Sequence, residues 1–173
     1  MRLLKLRIEN INSLAGRYEI DFTNRDYVES GIFAIVGPTG SGKTTILDAV
    51  TLALFGKTPR METRTSTSKK TDRGCMVLTE GRKQCSASVV FESMGKFWRS
   101  RWSVKLKRTG EPRDAQVELV RLPDGSAQTG EIVAEQKLPW NAKVPEVLGM
   151  DYETFTRSAL LAQGAFTELL RAQ

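Results

Sequence analysis

Eight consecutive residues, Gly37-Pro38-Thr39-Gly40-Ser41-Gly42-Lys43-Thr44, have the types and order needed to hold a polyphosphate. Gly37, Gly40 and Gly42 let the backbone bend closely around anionic oxygens with no side chain in the way. The amides of the loop, from Thr39 and Ser41 through to Thr45, then point at the anion. Lys43 brings a compact positive charge to the outer phosphates. The hydroxyl of Thr44 suits a hard cation that prefers oxygen ligands and keeps its waters, which points to magnesium. The chemistry implied is binding of ATP with Mg.

Such a loop works only when a strand delivers it and a helix follows. The run Ile32-Phe33-Ala34-Ile35-Val36 reads as a central parallel strand buried on both faces. Ile46 to Phe55 is apolar almost all round and reads as a buried helix. Its unpaired N-terminal amides and its dipole add to the anion site.

The flanking pattern is mostly strand. Leu4, Leu6 and Ile8 alternate with Lys5, Arg7 and Glu9, and Tyr18, Ile20 and Phe22 alternate with Glu19 and Asp21, which predicts a half-exposed hairpin turning near Asn12 to Gly16. Asn24 to Gly31 is polar, and Gly56 to Gly74 reads as a surface loop. Strands are expected over Cys85 to Glu92, Lys96 to Lys107 and Ala115 to Leu122. In the second of these, Trp98, Trp102, Val104 and Leu106 share one parity while Arg99, Arg101, Lys105 and Lys107 share the other. That strand should have one core face and one basic face, its tryptophans packing a sheet rather than stacking on bases. Pro139 to Leu148 predicts a helix closed by Gly149, and Asp151 caps another through Ser158. Leu160 to Gln163 then reads as a short strand. Phe166, Leu169 and Leu170 begin an amphipathic stripe still open at the last residue, so the chain is expected to continue into a coiled coil.

With 173 residues the chain suits one domain. It contains no histidine, which excludes His-based triads, general bases and zinc sites. Cys75 and Cys85 lack metal-ligand or redox spacing, and no signal peptide or membrane span is evident, so a reduced cytoplasmic setting is expected. The net charge of +6 is concentrated: Lys57 to Arg73 holds six basic and two acidic residues, and Lys96 to Arg113 seven and one. Local basicity of this kind suits nucleic-acid phosphates, with no motif for base-specific recognition.

Four stretches in order carry a family resemblance: Leu6-Arg7-Ile8-Glu9-Asn10-Ile11-Asn12-Ser13-Leu14, the phosphate loop with Thr44-Thr45-Ile46-Leu47-Asp48-Ala49, Leu54-Phe55-Gly56-Lys57-Thr58-Pro59-Arg60, and Phe155-Thr156-Arg157-Ser158-Ala159-Leu160-Leu161-Ala162-Gln163-Gly164. Together they resemble the N-terminal lobe of the SbcC family, ATPase subunits of bacterial SbcC–SbcD exonucleases and part of the coiled-coil chromosome-maintenance ATPases of the ABC class. The resemblance implies an α/β P-loop fold of ABC type: a mixed sheet around the nucleotide, an antiparallel subdomain, and the start of a coiled coil. Residues 1–164 would form the lobe and 165–173 the beginning of the coiled-coil helix.

By the same resemblance, Gln163 is the Q-loop glutamine that shares the magnesium and reaches the attacking water. Asn12 and Ser13 face the phosphates, although many relatives carry arginine at the first of these positions. Val77, Leu78 and Thr79 lie beside adenine and ribose. The family's acidic Walker B strand, its Ser-Gly-Gly signature and its switch histidine belong to a C-terminal lobe and do not occur in this sequence. This chain alone is therefore expected to bind nucleotide weakly or not at all. Joined to that lobe it would dimerise around two ATP molecules, hydrolyse them, and so control double-stranded DNA binding and the SbcD nuclease subunit. The alternative is an ATP-gated DNA clamp or scaffold in which hydrolysis is incidental.

Overall fold

The computed structural model describes residues 1–30, 34–63 and 77–158. Its frame is one six-stranded sheet in the order β2-β1-β3-β4-β5-β6, built from β1 (Arg2–Ile11), β2 (Leu14–Asp21), β3 (Gln84–Ser93), β4 (Lys96–Lys105), β5 (Gln116–Leu122) and β6 (Glu131–Ala134). Every pairing is antiparallel. The helices are α1 (Arg25–Ser30), α2 (Lys43–Phe55), α3 (Pro59–Thr63), α4 (Lys137–Leu148) and α5 (Tyr152–Ser158).

The alternation read from the sequence produces a core on one side of this sheet. Leu6, Ile8, Ala87, Val89, Phe91, Trp102 and Val104 pack there against Leu52, Ala53 and Leu54 of α2. Trp98 and Trp102 are buried in that core, which bears out the packing role expected for them. Leu4 departs from its expected parity. The register of β1 on β3 shifts between Leu3 and Lys5, and Leu4 packs instead with Val90, Val120 and Leu122 on the opposite face. A bulge sets two residues against one, so the alternation inverts there.

The C-terminal end of α2 is fixed to the sheet by buried polar bonds. Ser100 Oγ donates to Ala53 O at 2.6 Å, and Trp140 Nε1 donates to Ser100 Oγ at 3.1 Å. Gly56 closes the helix in the left-handed region, its N–H on Leu52 O, beside the indoles of Trp102 and Trp140. Gly149 closes α4 in the same conformation, and Asp151 Oδ1 accepts the Thr154 N–H, as the sequence indicates.

Other parts of the pattern differ from expectation. Asn24 to Gly31 contains the short helix α1, the supposed loop after Gly56 opens with α3, and β6 carries no sequence signal strong enough to mark it. The run before the phosphate loop is not a buried strand over its described part. Ala34 to Val36 has no strand pairing, and Ile35 and Val36 are 41% and 86% exposed. Among the described residues the strands are those of the antiparallel layer of the expected α/β fold. Ile32, Phe33, the strand at Leu160 to Gln163 and the stripe from Phe166 lie outside the described residues. Among the described residues no helix is long and apolar enough to cross a membrane.

Candidate nucleotide site

The phosphate loop stands at the N-terminal end of α2, opposite the end that Ser100 and Trp140 secure. Residues 37–41 are exposed, whereas Gly42 is buried and serves as the helix N-cap at φ 94°. Glycine is needed there on two counts. The conformation is left-handed, and a Cβ would fall 2.6 Å from Leu14 Cδ2 and 3.2 Å from Ser13 Oγ. Gly37 is similarly tight, since a Cβ would meet Ser41 Oγ at 2.7 Å. No side chain caps α2, so the first-turn amides keep their donors for a ligand.

Lys43 Nζ lies across the loop, donating to Gly37 O at 2.7 Å and Pro38 O at 2.8 Å. Its ammonium is thereby held within the curve that the glycines make. Thr44 is half-buried at the helix start and Thr45 is buried. The Thr45 hydroxyl therefore belongs to the interior, and what Thr45 can offer an anion is its amide.

The β1–β2 turn closes one side of the site. Asn12 is left-handed at φ 48°, its N–H donates to Val77 O at 2.7 Å, and its Nδ2 donates to Asp48 Oδ2 at 3.3 Å. Ser13 and Leu14 lie on Gly42. Ile11 bridges Leu78, the Thr79 N–H donates to Asn10 O at 3.0 Å, and Thr79 Oγ1 donates to Leu14 O at 3.5 Å. Of the expected site residues, Asn12, Ser13, Gly42, Leu78 and Thr79 are thus brought together beside the loop, while Val77, which accepts the Asn12 N–H, has its side chain buried in the core. Gln163 lies outside the described residues.

Two residues at this surface went unread in the sequence. Asp48 is 3% exposed and sits one turn beyond Thr44 on α2. Arg60 Nε faces the same Asp48 Oδ2 at 3.5 Å. Burial pushes the Asp48 carboxyl above the usual carboxylate range, and the Arg60 charge only partly opposes this. The signal was available: one acid inside the apolar run from Ile46 to Phe55.

No group of three or more metal-ligating side chains occurs among the described residues. A single hydroxyl at Thr44 fits a cation whose other ligands are water and phosphate oxygens, as magnesium's commonly are.

A family described as AAA domain matches residues 5–173. The chain belongs to the AAA-domain family. It is 38% identical to the SbcC component of the nuclease SbcCD from Pseudomonas aeruginosa, the alignment taking in 99% of this chain and 15% of that protein. It is 33% identical to the "Probable DNA double-strand break repair Rad50 ATPase" of Aquifex aeolicus, over 98% of this chain and 14% of that one. The chain therefore spans about one seventh of the length of these curated relatives. A solved "SMC head domain from Thermotoga maritima" is 28% identical with a TM-score of 0.44, covering 78% of this chain and 39% of that one.

Proposed function

We propose that this chain is the N-terminal part of an ATPase that processes DNA ends, binding ATP with Mg through the phosphate loop. The observation that carries the reading is Lys43. Its ammonium is folded into a glycine-lined curve at an uncapped helix start, where charged phosphate oxygens would replace the neutral carbonyls of Gly37 and Pro38. Asn12 and Ser13 would border the phosphates, and Val77, Leu78 and Thr79 the nucleoside. Thr44 and Gln163 would hold the magnesium, which when bound supplies charge neutralisation for phosphoryl transfer. The reading extends to a cytoplasmic setting, supported by the nuclease and DNA-repair roles in the relatives' names.

Asp48, the carboxylate on α2 one turn from the loop, is occupied by Asn12 and Arg60 and is no candidate for activating water. Hydrolysis would then draw on groups beyond Asp48, and the family resemblance supplies them from a C-terminal lobe in a head-to-tail dimer that sandwiches ATP. Opening and closing of that dimer would govern DNA binding and an associated SbcD-type nuclease. Lys43→Ala in the complete head, this chain with its C-terminal lobe, is expected to abolish ATP turnover. Unchanged turnover would refute the reading.

A DNA-holding role has its own support on the outer sheet face. Arg101 and Lys105 border an open groove of about 830 Å³ with Arg113 and Lys137, a lining that Asp114, Glu118 and Glu135 leave only slightly basic. Arg99 is tied to Glu118 and to Gln128 O, and Lys107 pairs with Glu111 at 3.2 Å, so neither is as available as the strand parity implies. Lys69 and Lys70 lie outside the described residues. Charge reversal at Arg101 and Lys105 should weaken duplex binding without sequence preference and reduce the slope of log affinity against log salt by about 1 to 2. An equal slope would mark them as ordinary surface charge. Were DNA retention complete with a non-hydrolysable ATP analogue, the clamp alternative would be favoured over an ATP-driven machine.

A further inference from the structure

We infer that Asp48 is a positioning residue for the nucleotide site, holding the β1–β2 turn against the phosphate loop through Asn12. The inference rests on the nucleotide reading above and assigns a role to a residue that touches no phosphate. A leucine at position 48 would satisfy the packing demand of a buried helix face, whereas a carboxylate that is 3% exposed is costly unless partnered. What Asp48 gains at that cost is its pair of partners.

Those partners come from both sides of the site. Asn12 belongs to the turn whose Ser13 and Leu14 lie on Gly42, the residue that starts α2. Arg60 belongs to α3, beyond the other end of α2. Asn12 in turn binds Val77 through its backbone N–H, so the segment that flanks the turn from the other side is referred to the same carboxylate. Asp48 stands one helical turn past Thr44 and shares its face of α2. A turn held there is fixed relative to the hydroxyl and amides that would meet the phosphates. Released from Asp48, the turn keeps its backbone bond to Val77 and the packing of Leu14 on Gly42 but loses its described side-chain hydrogen bond to α2, and Ser13 is held less firmly over Gly42.

The test uses the complete head and reads KM and kcat for ATP, the Kd of a fluorescent ATP analogue with Mg, and the urea midpoint. Asp48→Ala and Asn12→Gly are made singly and together; glycine keeps the left-handed backbone of residue 12 while removing its amide. Each single change is expected to raise Kd and KM about tenfold with kcat within about threefold, and the double variant to be no worse than the weaker single. Asp48→Asn, which retains an acceptor for Asn12 Nδ2, should recover most of the affinity. Multiplying penalties, or a lowered urea midpoint with Kd unchanged, would overturn the inference and reduce Asp48 to a structural residue. If Asp48→Ala does not fold, Asp48→Leu, which fills the buried site without an acceptor, takes its place, and an unchanged Kd overturns the inference. A wild-type head that binds no ATP would remove the nucleotide reading as well, whereas binding that is indifferent to these variants removes only this inference.

Discussion

The two ends of α2 are built on opposite plans. At the C-terminal end, Gly56 turns the chain beneath Trp102 and Trp140, and Ser100 closes a buried bond to Ala53. At the N-terminal end, Gly42 turns the chain beneath Leu14, but the loop beyond it is exposed and no side chain caps the first turn of the helix. Both ends use a left-handed glycine. One end anchors the helix, and the other leaves its donors for something the protein does not itself provide. Stability and binding are thus separated along thirteen residues of one helix.

That separation can be broken by substitution. Trp140→Ala removes a large, fully buried side chain and the N–H that Ser100 Oγ accepts, so it should cost about 3–5 kcal/mol in urea unfolding. At the other end, Lys43→Ala should lower ATP turnover in the complete head by about 10²–10³-fold or more while changing unfolding free energy by about 1 kcal/mol or less. The two glycines sharpen the contrast. Gly56→Ala meets only ordinary contacts and should cost about 1 kcal/mol with the Kd for ATP unchanged. Gly42→Ala drives a methyl into Leu14 and should raise that Kd as well as destabilise. Equal effects of both on Kd would show that the ends are not separate.

The smallest expected effect concerns pH. Asp48 has its carboxyl raised by burial above 3.8, so the folded state binds the proton more tightly than the unfolded chain. Its contribution is greatest below about pH 3.8 and is lost as pH rises through the raised value. Glu9 on the outer sheet face behaves oppositely. Burial lifts its carboxyl, but hydrogen bonds from Gln84, Arg17 and Ser86 with the Arg17 charge prevail and hold it below 4.5. Its contribution is present above about pH 4.5 and lost as pH falls through the lowered value. Asp48→Asn should therefore gain on wild type as pH is raised from about 4, and Glu9→Gln should gain as pH is lowered. Parallel stability curves for Asp48→Asn and wild type would contradict the first assignment.

The sequence was most legible where a local rule suffices. The glycine spacing of the phosphate loop, the alternation in β3 and β4, and the stops at Gly56 and Gly149 each depend on neighbours a few residues away. Leu4 was misread because a bulge is a property of a pair of strands, and β6 was missed because four residues carry too little pattern. The apolar run ending at Val36 shows a different limit. Hydrophobicity states that a surface must be covered and does not state what covers it. Asp48 was overlooked for a related reason, since its importance comes from the approach of a turn more than thirty residues away in the chain. The part of the site that depends on Gln163 lies outside the described residues.

Asn10 gives the hairpin a fixed length. It is left-handed at φ 51°, the register of β1 on β2 shifts around it, and its side chain bonds Gln84 O and the Gly16 N–H. The reach of the tip toward α2 is consequently counted in whole residues. Inserting or deleting one between Glu9 and Leu14 would turn inward the side chains that now point outward and lift the tip from the helix. Homologous hairpins should vary here by exchange of side chains and hold their spacing constant.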